Sequence, residues 1–262
     1  NVAMGAPNAT FGTPGYAIPG AWDGKAGLKG DGWGFGYKVG LIYEPTDAFR
    51  LGLAYHGAMT MTLKGDATFA FPAALPPTDL AALNGGGLRN GKGQADLALP
   101  ATASLGLDWK VSPAFSLQAE VARSTWSRFD ELRVKFTDNV APQTTESITD
   151  ESWSDTTYAS LGGTWKVNQD WTLRAGLAFD QSAVDDAHRT PRIPDNDRKW
   201  VSLGASYVYS KKTTIDVGFT QIFVADGKVN LTAAGDNITR GSLRGTMKAS
   251  ITILGASLRY TF

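Results

Sequence analysis

The chain alternates with a period of two, segment after segment, so that each segment turns one apolar face and one small or polar face. From Phe49 onward, Phe49, Leu51, Leu53, Tyr55, Met59, Met61 and Leu63 share one side, and Arg50, Gly52, Ala54, His56, Ala58, Thr60 and Thr62 share the other. The same division returns at Trp33 to Tyr43, Leu97 to Trp109, Phe115 to Val121, Ala159 to Trp165, Trp171 to Phe179, Val201 to Tyr209 and Ile215 to Phe223. With the final segment, nine strands are expected. No long stretch follows the helical period, which makes the chain all-β.

Soluble sandwiches alternate too, so the period leaves two architectures open. The connections separate them. Residues 44–48, 111–114, 167–170 and 210–213 read as tight turns of Asn, Asp, Pro, Ser and Lys, whereas 64–94, 137–150, 182–197 and 225–242 are long. Strict alternation of short and long links is how an antiparallel, up-and-down transmembrane β-barrel is built, with short periplasmic turns and long extracellular loops. The expected barrel runs over residues 25–262.

Charge placement points the same way, because Lys or Arg at mid-membrane on the lipid face costs about 2–4 kcal/mol. Lys38, Arg50, Asp96, Asp108, Glu120, Arg174 and Asp216 all fall on the polar face. Arg123 lies on the apolar face and is expected near the outer interface, where its stem can snorkel. Trp33, Tyr43, Phe49, Trp109, Phe115, Trp165, Trp171 and Tyr207 sit near strand ends, as interfacial aromatics do. The last strand closes with Leu254, Ala256, Leu258, Tyr260 and Phe262, a terminal aromatic pattern resembling the signal read by barrel-assembly machinery. Met247, Ala249, Ile251 and Ile253 have the opposite parity, which predicts a bulge near Ile253 to Gly255.

Composition removes several function classes. Thirty Gly and 28 aromatic residues (8 Trp, 8 Tyr and 12 Phe) occur without the run of about 20 apolar residues that a membrane helix needs. Lys plus Arg equals Asp plus Glu at 25 each, which gives no basic surface for nucleic acid. With no Cys, two His and no Gly-x-Ser-x-Gly elbow, a nucleophile and base are not in evidence, and no enzyme, cofactor or metal site is expected. The pairs Asp185-Asp186 and Asp195 with Asp197 are read as solvated loop residues.

Five segments carry a closer resemblance: Leu28-Lys29-Gly30-Asp31 leading into Trp33-Gly34-Phe35-Gly36-Tyr37; Leu63-Lys64-Gly65-Asp66; Leu99-Pro100-Ala101-Thr102-Ala103-Ser104; Trp126-Ser127-Arg128-Phe129-Asp130-Glu131-Leu132; and Arg189-Thr190-Pro191-Arg192-Ile193-Pro194-Asp195-Asn196-Asp197-Arg198. Together the chain resembles the FadL family of outer-membrane long-chain fatty acid and hydrocarbon transporters. The resemblance implies a 14-stranded barrel plugged by an N-terminal hatch, of which about nine strands are present here, with the hatch and first five strands expected to lie outside this sequence. It implies a monomeric diffusion channel in a bacterial outer membrane, with a fatty acid or aromatic hydrocarbon as ligand and the lipid bilayer as surroundings; a general porin or structural barrel is the alternative.

In such proteins an extracellular hydrophobic groove captures ligand and passes it to a lumenal pocket. The loop bearing Phe69, Phe71, Leu75, Leu80 and Leu83 is expected to form one wall of that groove, with a short helix opening at Pro77-Thr78-Asp79. Residues 1–24, with Phe11, Tyr16, Ile18 and Trp22, are expected to be the remnant of the loop that forms the other. A buried carboxylate needs a cationic or donor-rich contact, for which the candidates are lumen-facing Arg50 and His56. Arg189, Arg192 and Arg198 stand near the outer mouth, where bracing of the rim through Asp195 and Asp197 outweighs ligand contact as their role. His56 can equally be a hydrogen-bonded lumen residue, and His188 a solvated loop residue. The family often carries Arg where His56 stands, a departure that makes hydrocarbon cargo more plausible.

Overall fold

The computed structural model describes residues 24–73, 75–85, 88–136, 146–234 and 242–262. Along the chain come β1 (Lys25–Asp31), β2 (Lys38–Thr46), β3 (Phe49–His56), β4 (Met59–Ala70), the helix α1 (Pro77–Gly85), β5 (Gly91–Leu99), β6 (Thr102–Lys110), β7 (Phe115–Ser124), β8 (Glu131–Phe136), β9 (Glu146–Asp150), β10 (Thr156–Lys166), β11 (Trp171–Asp180), β12 (Arg198–Ser210), β13 (Thr213–Val224), β14 (Gly227–Leu231), β15 (Leu243–Met247) and β16 (Ser250–Tyr260).

Nine strands form one antiparallel sheet in the order β16-β13-β12-β11-β10-β7-β6-β3-β2, and these are the nine segments that the alternation marks. Chain neighbours joined by a short turn are always paired, which is the up-and-down arrangement. The strands run 8 to 13 residues, close to the 9–11 that span a membrane at a tilt.

Above this wall the structure departs from the expected continuous strands. The β3–β6 ladder ends at His56↔Thr102 and resumes as a β4–β5 ladder at Met59↔Leu99, in a separate five-stranded sheet ordered β1-β4-β5-β8-β9. The breaks fall at Gly57-Ala58 and at Pro100-Ala101, where proline has no N–H for the ladder. Adjacent strands break at residues 32–37 and 125–130, beside the same level. A ladder inside hydrocarbon cannot open without leaving polar backbone groups unpaired, so the shared break marks where the chain reaches water. The Gly32 to Tyr37 stretch, expected as strand, is irregular for this reason, and Asp96 stands in the upper sheet rather than the wall. The expected 64–94 loop is strand at both ends, over 64–70 and 91–94, which leaves 71–90 as the connection carrying α1.

The bulge expected near Ile253 is not present. The β13–β16 register runs unbroken from Thr213↔Tyr260 to Phe223↔Ser250. Ile251 and Ile253 stand opposite Ile222 and Thr220 on the concave side, and Ile222 is almost fully buried, so the change of parity reflects apolar residues turned inward. Met247 belongs instead to the separate β14–β15 hairpin. Register shifts do occur between Tyr43 and Thr46 and between Val208 and Ser210, both at short turns.

The apolar face of the wall points outward. Leu53, Leu105, Leu177 and Leu203 are 53%, 48%, 61% and 55% exposed. Charged residues take the other side, with Arg50 opposite Asp108 and Arg174 donating to the Ser206 hydroxyl at 2.7 Å. Aromatic contacts mark the two ends of the wall: Trp171 lies 4.7 Å from Tyr207 beside short turns, and Tyr37 lies 6.0 Å from Tyr55 where the ladder breaks. Arg123 is at the long-loop end of β7 and donates to Thr157 Oγ1 at 2.8 Å, as its snorkelling placement requires.

The two faces should therefore respond differently to charge. Leu177→Arg is expected to lower folding free energy into lipid vesicles by about 2–4 kcal/mol in urea titration, whereas Ser202→Arg, on the concave face, should cost less than about 1 kcal/mol.

Candidate functional site

The concave face of the wall holds a trough of about 500 Å³. Its floor is made where facing strands place glycine against glycine, at Gly52↔Gly106 and Gly162↔Gly176. A Cβ built at Gly52 would meet nothing within 4 Å, so packing of the wall does not demand glycine there. Its absence of side chain instead keeps the lumen wide. Ile42, Tyr158, Ala178 and Trp200 supply apolar surface, and Arg50, Asp108, Gln118 and Glu120 supply charge and donors.

Arg50 is ion-paired with Glu44 and faces Asp108, whose carboxylate also accepts from Gln118 Nε2 at 3.0 Å. His56 is six positions further along the strand, about 20 Å away at the rise of an extended chain, so the two cannot grip one carboxylate. Directly across from His56 are Lys38 on β2 and Thr102 on β6. Lys38 was legible as a polar-face charge, but only the strand register brings it beside His56.

The five apolar residues of the 64–94 region differ in their surroundings. Phe69 lies on β4, 6.3 Å from the Phe136 ring, and Phe71 packs beside Gly24. Leu75 is buried, whereas Leu80 on α1 is exposed and Leu83 is half-buried. The opposing wall expected from residues 1–24 lies, apart from Gly24, outside the described residues.

Around the mouth, Arg189 is 1% exposed and satisfied from several directions. Its Nε donates to the Asp195 carbonyl at 2.8 Å, Nη1 to the Lys228 carbonyl at 3.0 Å and to the Asp186 carboxylate, and Nη2 to the Val184 carbonyl at 3.2 Å. It thereby ties the 182–197 loop to β14. Gly227 is required beside it, because a Cβ there would sit 2.9 Å from Arg189 Cδ. Arg198 donates to Asp195 at 3.1 Å and to Asp180 at 3.0 Å, Asp195 accepts from the Ser182 hydroxyl at 3.0 Å, and Asp197 accepts from the Ser182 amide at 2.9 Å. These contacts make Arg189, Asp195, Asp197 and Arg198 a brace, while Arg192 remains exposed.

A second loop contact was not legible in the sequence. His188, expected to be solvated, is half-buried, its Nδ1 2.8 Å from Asp185 and its Nε2 3.7 Å from Asp150. Nearby Trp126 and Phe129 meet Trp153 edge-on at 5.1 and 4.8 Å. Burial pushes the neighbouring Glu151 carboxyl above its ordinary range, with the Arg192 guanidinium pulling the other way. Asp155 is held below its ordinary range by hydrogen bonds from the hydroxyl and amide of Ser127.

An antiparallel wall with an outward apolar belt, an inward polar face and tight turns at one end defines a transmembrane β-barrel protein of the outer-membrane type. Residues 6–262 match the family described as Outer membrane protein transport protein (OMPP1/FadL/TodX), and the chain belongs to that family, whose place is the bacterial outer membrane. It is 35% identical over 238 residues to the 47 kDa outer membrane protein of Pasteurella multocida, covering 90% of this chain and 52% of that protein. It is 31% identical over 243 residues to a long-chain fatty acid transport protein of Escherichia coli, covering 90% and 52% respectively. Among solved structures, a Pseudomonas aeruginosa FadL homologue superposes with a TM-score of 0.81 at 29% identity, over 95% of this chain and 58% of its own. The Pseudomonas putida toluene transporter TodX shares the fold, with a TM-score of 0.58 at 20% identity over 91% and 53%. The chain thus spans about half the length of the curated relatives it matches.

The rim chemistry has two measurable consequences. Arg189→Met leaves buried carbonyl acceptors unpaired and should destabilise the 182–197 loop by about 3 kcal/mol, seen as cleavage there at lower protease concentration while the wall stays resistant. Because the native Glu151 carboxyl titrates above its unfolded value, the loops should be tightest below the ordinary glutamate pKa of about 4.3 and loosen as pH rises through the raised value. Glu151→Gln should abolish that loosening in amide exchange.

Proposed function

We propose that this chain forms part of a diffusion channel that carries hydrophobic small molecules, long-chain fatty acids foremost, across the bacterial outer membrane. The observation that carries the reading is the glycine-floored trough on the concave face, which places apolar surface beside a few polar groups inside a transport-family wall. The 31% identity to the long-chain fatty acid transport protein of Escherichia coli supports fatty acid as the first cargo.

The carboxylate would be met by His56 with Lys38, one donor and one cation on facing strands. Arg50, engaged by Glu44, would steer passage nearer the short-turn end. Phe69, Phe71, Leu80 and Leu83 would offer the first apolar contact outside, and Arg189, Arg192, Asp195, Asp197 and Arg198 would hold the mouth in shape. Membership of the same family supports a transport role. A second reading, neutral hydrocarbon cargo, is favoured by Asp108 and Glu120, which line the trough and repel a free carboxylate.

Uptake by cells that lack their own transporter and express the full-length protein distinguishes these readings. Oleate uptake above background is expected, with no gain for a small sugar. Lys38→Ala with His56→Ala should lower oleate uptake about tenfold, the worth of one charge-assisted contact, and leave toluene uptake unchanged. Sugar passing as fast as oleate would point to a general pore, and toluene entering without oleate would establish the second reading.

A further inference from the structure

The outer surface of the wall is not a uniform apolar belt. Between β7 and β16 it is hollowed into a trough of about 900 Å³ with almost wholly apolar walls. Phe115, Trp165, Leu173, Leu203, Phe219 and Leu254 stand around it, all on the outward parity. Gly163, Ala175 and Ala205 form its low floor, adjacent in register through Gly163↔Ala175 and, on the next pair of strands, Leu173↔Ala205. Bulky residues around small ones make a recess of the size that buries a whole small ligand.

We propose that this recess binds one anionic diacyl glycerophospholipid from the periplasmic leaflet. The recess opens at the short-turn end, which selects the leaflet: Phe115 opens β7 just after a short turn, Trp165 precedes the last residue of β10, and Leu173 follows the first residue of β11 by two, while Leu203, Phe219 and Leu254 carry it up to the middle of β12, β13 and β16. Short turns face the periplasm in this architecture. The ends of the strands selects the head group. Lys166, Lys211 and Lys212 are exposed on the turns below the recess, with Asp170 among them and Lys110 and the Arg259–Asp216 pair to either side, so cations outnumber acids there. The Trp171–Tyr207 pair lies between recess and lysines, at the depth that amphipathic rings prefer. Lysines attract a lipid phosphate as point charges, and a phosphatidylethanolamine would bring its own ammonium against them, so phosphatidylglycerol is the better occupant. The site lies on the opposite side of the wall from the lumenal trough and does not depend on what passes through it.

Native mass spectrometry of the full-length protein in detergent tests the assignment, with equimolar phosphatidylglycerol and phosphatidylethanolamine carrying the same acyl chains. One phosphatidylglycerol should be retained with a preference of about fivefold or more, the effect of lysines near an anionic head group. Lys166→Gln, Lys211→Gln and Lys212→Gln together should bring the preference to about one, and Ala205→Trp should expel both lipids by filling the floor; Ala175→Phe makes the same test if the tryptophan variant does not fold. Equal retention of the two lipids by the unaltered protein, a preference that survives loss of the lysines, or lipid retained with the floor filled would each overturn the proposal.

Discussion

Hydrocarbon offers a peptide group nothing to bond with, and that single fact organises this protein. Each N–H and C=O at membrane depth has to be met by another strand, so the wall is a continuous series of antiparallel ladders whose register shifts are confined to short turns. Where the chain emerges into water the demand ends. Four neighbouring strands break beside one level, at residues 32–37, 57–58, 100–101 and 125–130, and a second sheet begins above. The same constraint bears on β2 and β16, the edges of the nine-stranded sheet, whose outer backbone groups need partner strands within a bilayer.

With the backbone satisfied by neighbours, side chains are free to divide labour by parity. Outward positions meet lipid and are apolar; inward positions need not be, and the structure uses them in two ways. Glycine facing glycine opens the lumen, and charges are set against one another, as in Arg50 with Glu44 and Arg174 through Ser206 to Asp216. Lys38 and His56 instead face each other across β2 and β3.

Outside the bilayer the means of holding shape changes. Beside the upper sheet, the 182–197 loop and the segments around 126–153 are pinned by a buried guanidinium, by hydrogen-bonded carboxylates and by the Trp126, Phe129 and Trp153 rings. Arg189 takes this part because its planar head can reach several carbonyls at once, which an ammonium on a flexible stem does less well. The long motif from Arg189 to Arg198 thus ties the 182–197 loop to β14 and to the top of β12.

Nine strands, their order and their greasy faces were all legible in the alternation and in the lengths of the connections, since side-chain parity is a local property of extended chain. The ion pairs within the rim motif were legible because its acids and bases lie close in sequence. What the alternation could not show is where a strand stops being membrane wall. Phe49 to Leu63 alternates without a fault, yet the ladder breaks at Gly57, and Ile251 and Ile253 look misplaced until their partners on β13 turn them inward. Nor could local pattern reveal that Lys38 stands beside His56, or that His188 is held between Asp150 and Asp185. Parity and composition are written residue by residue; register and loop docking depend on which distant segments meet, and only the folded chain decides that.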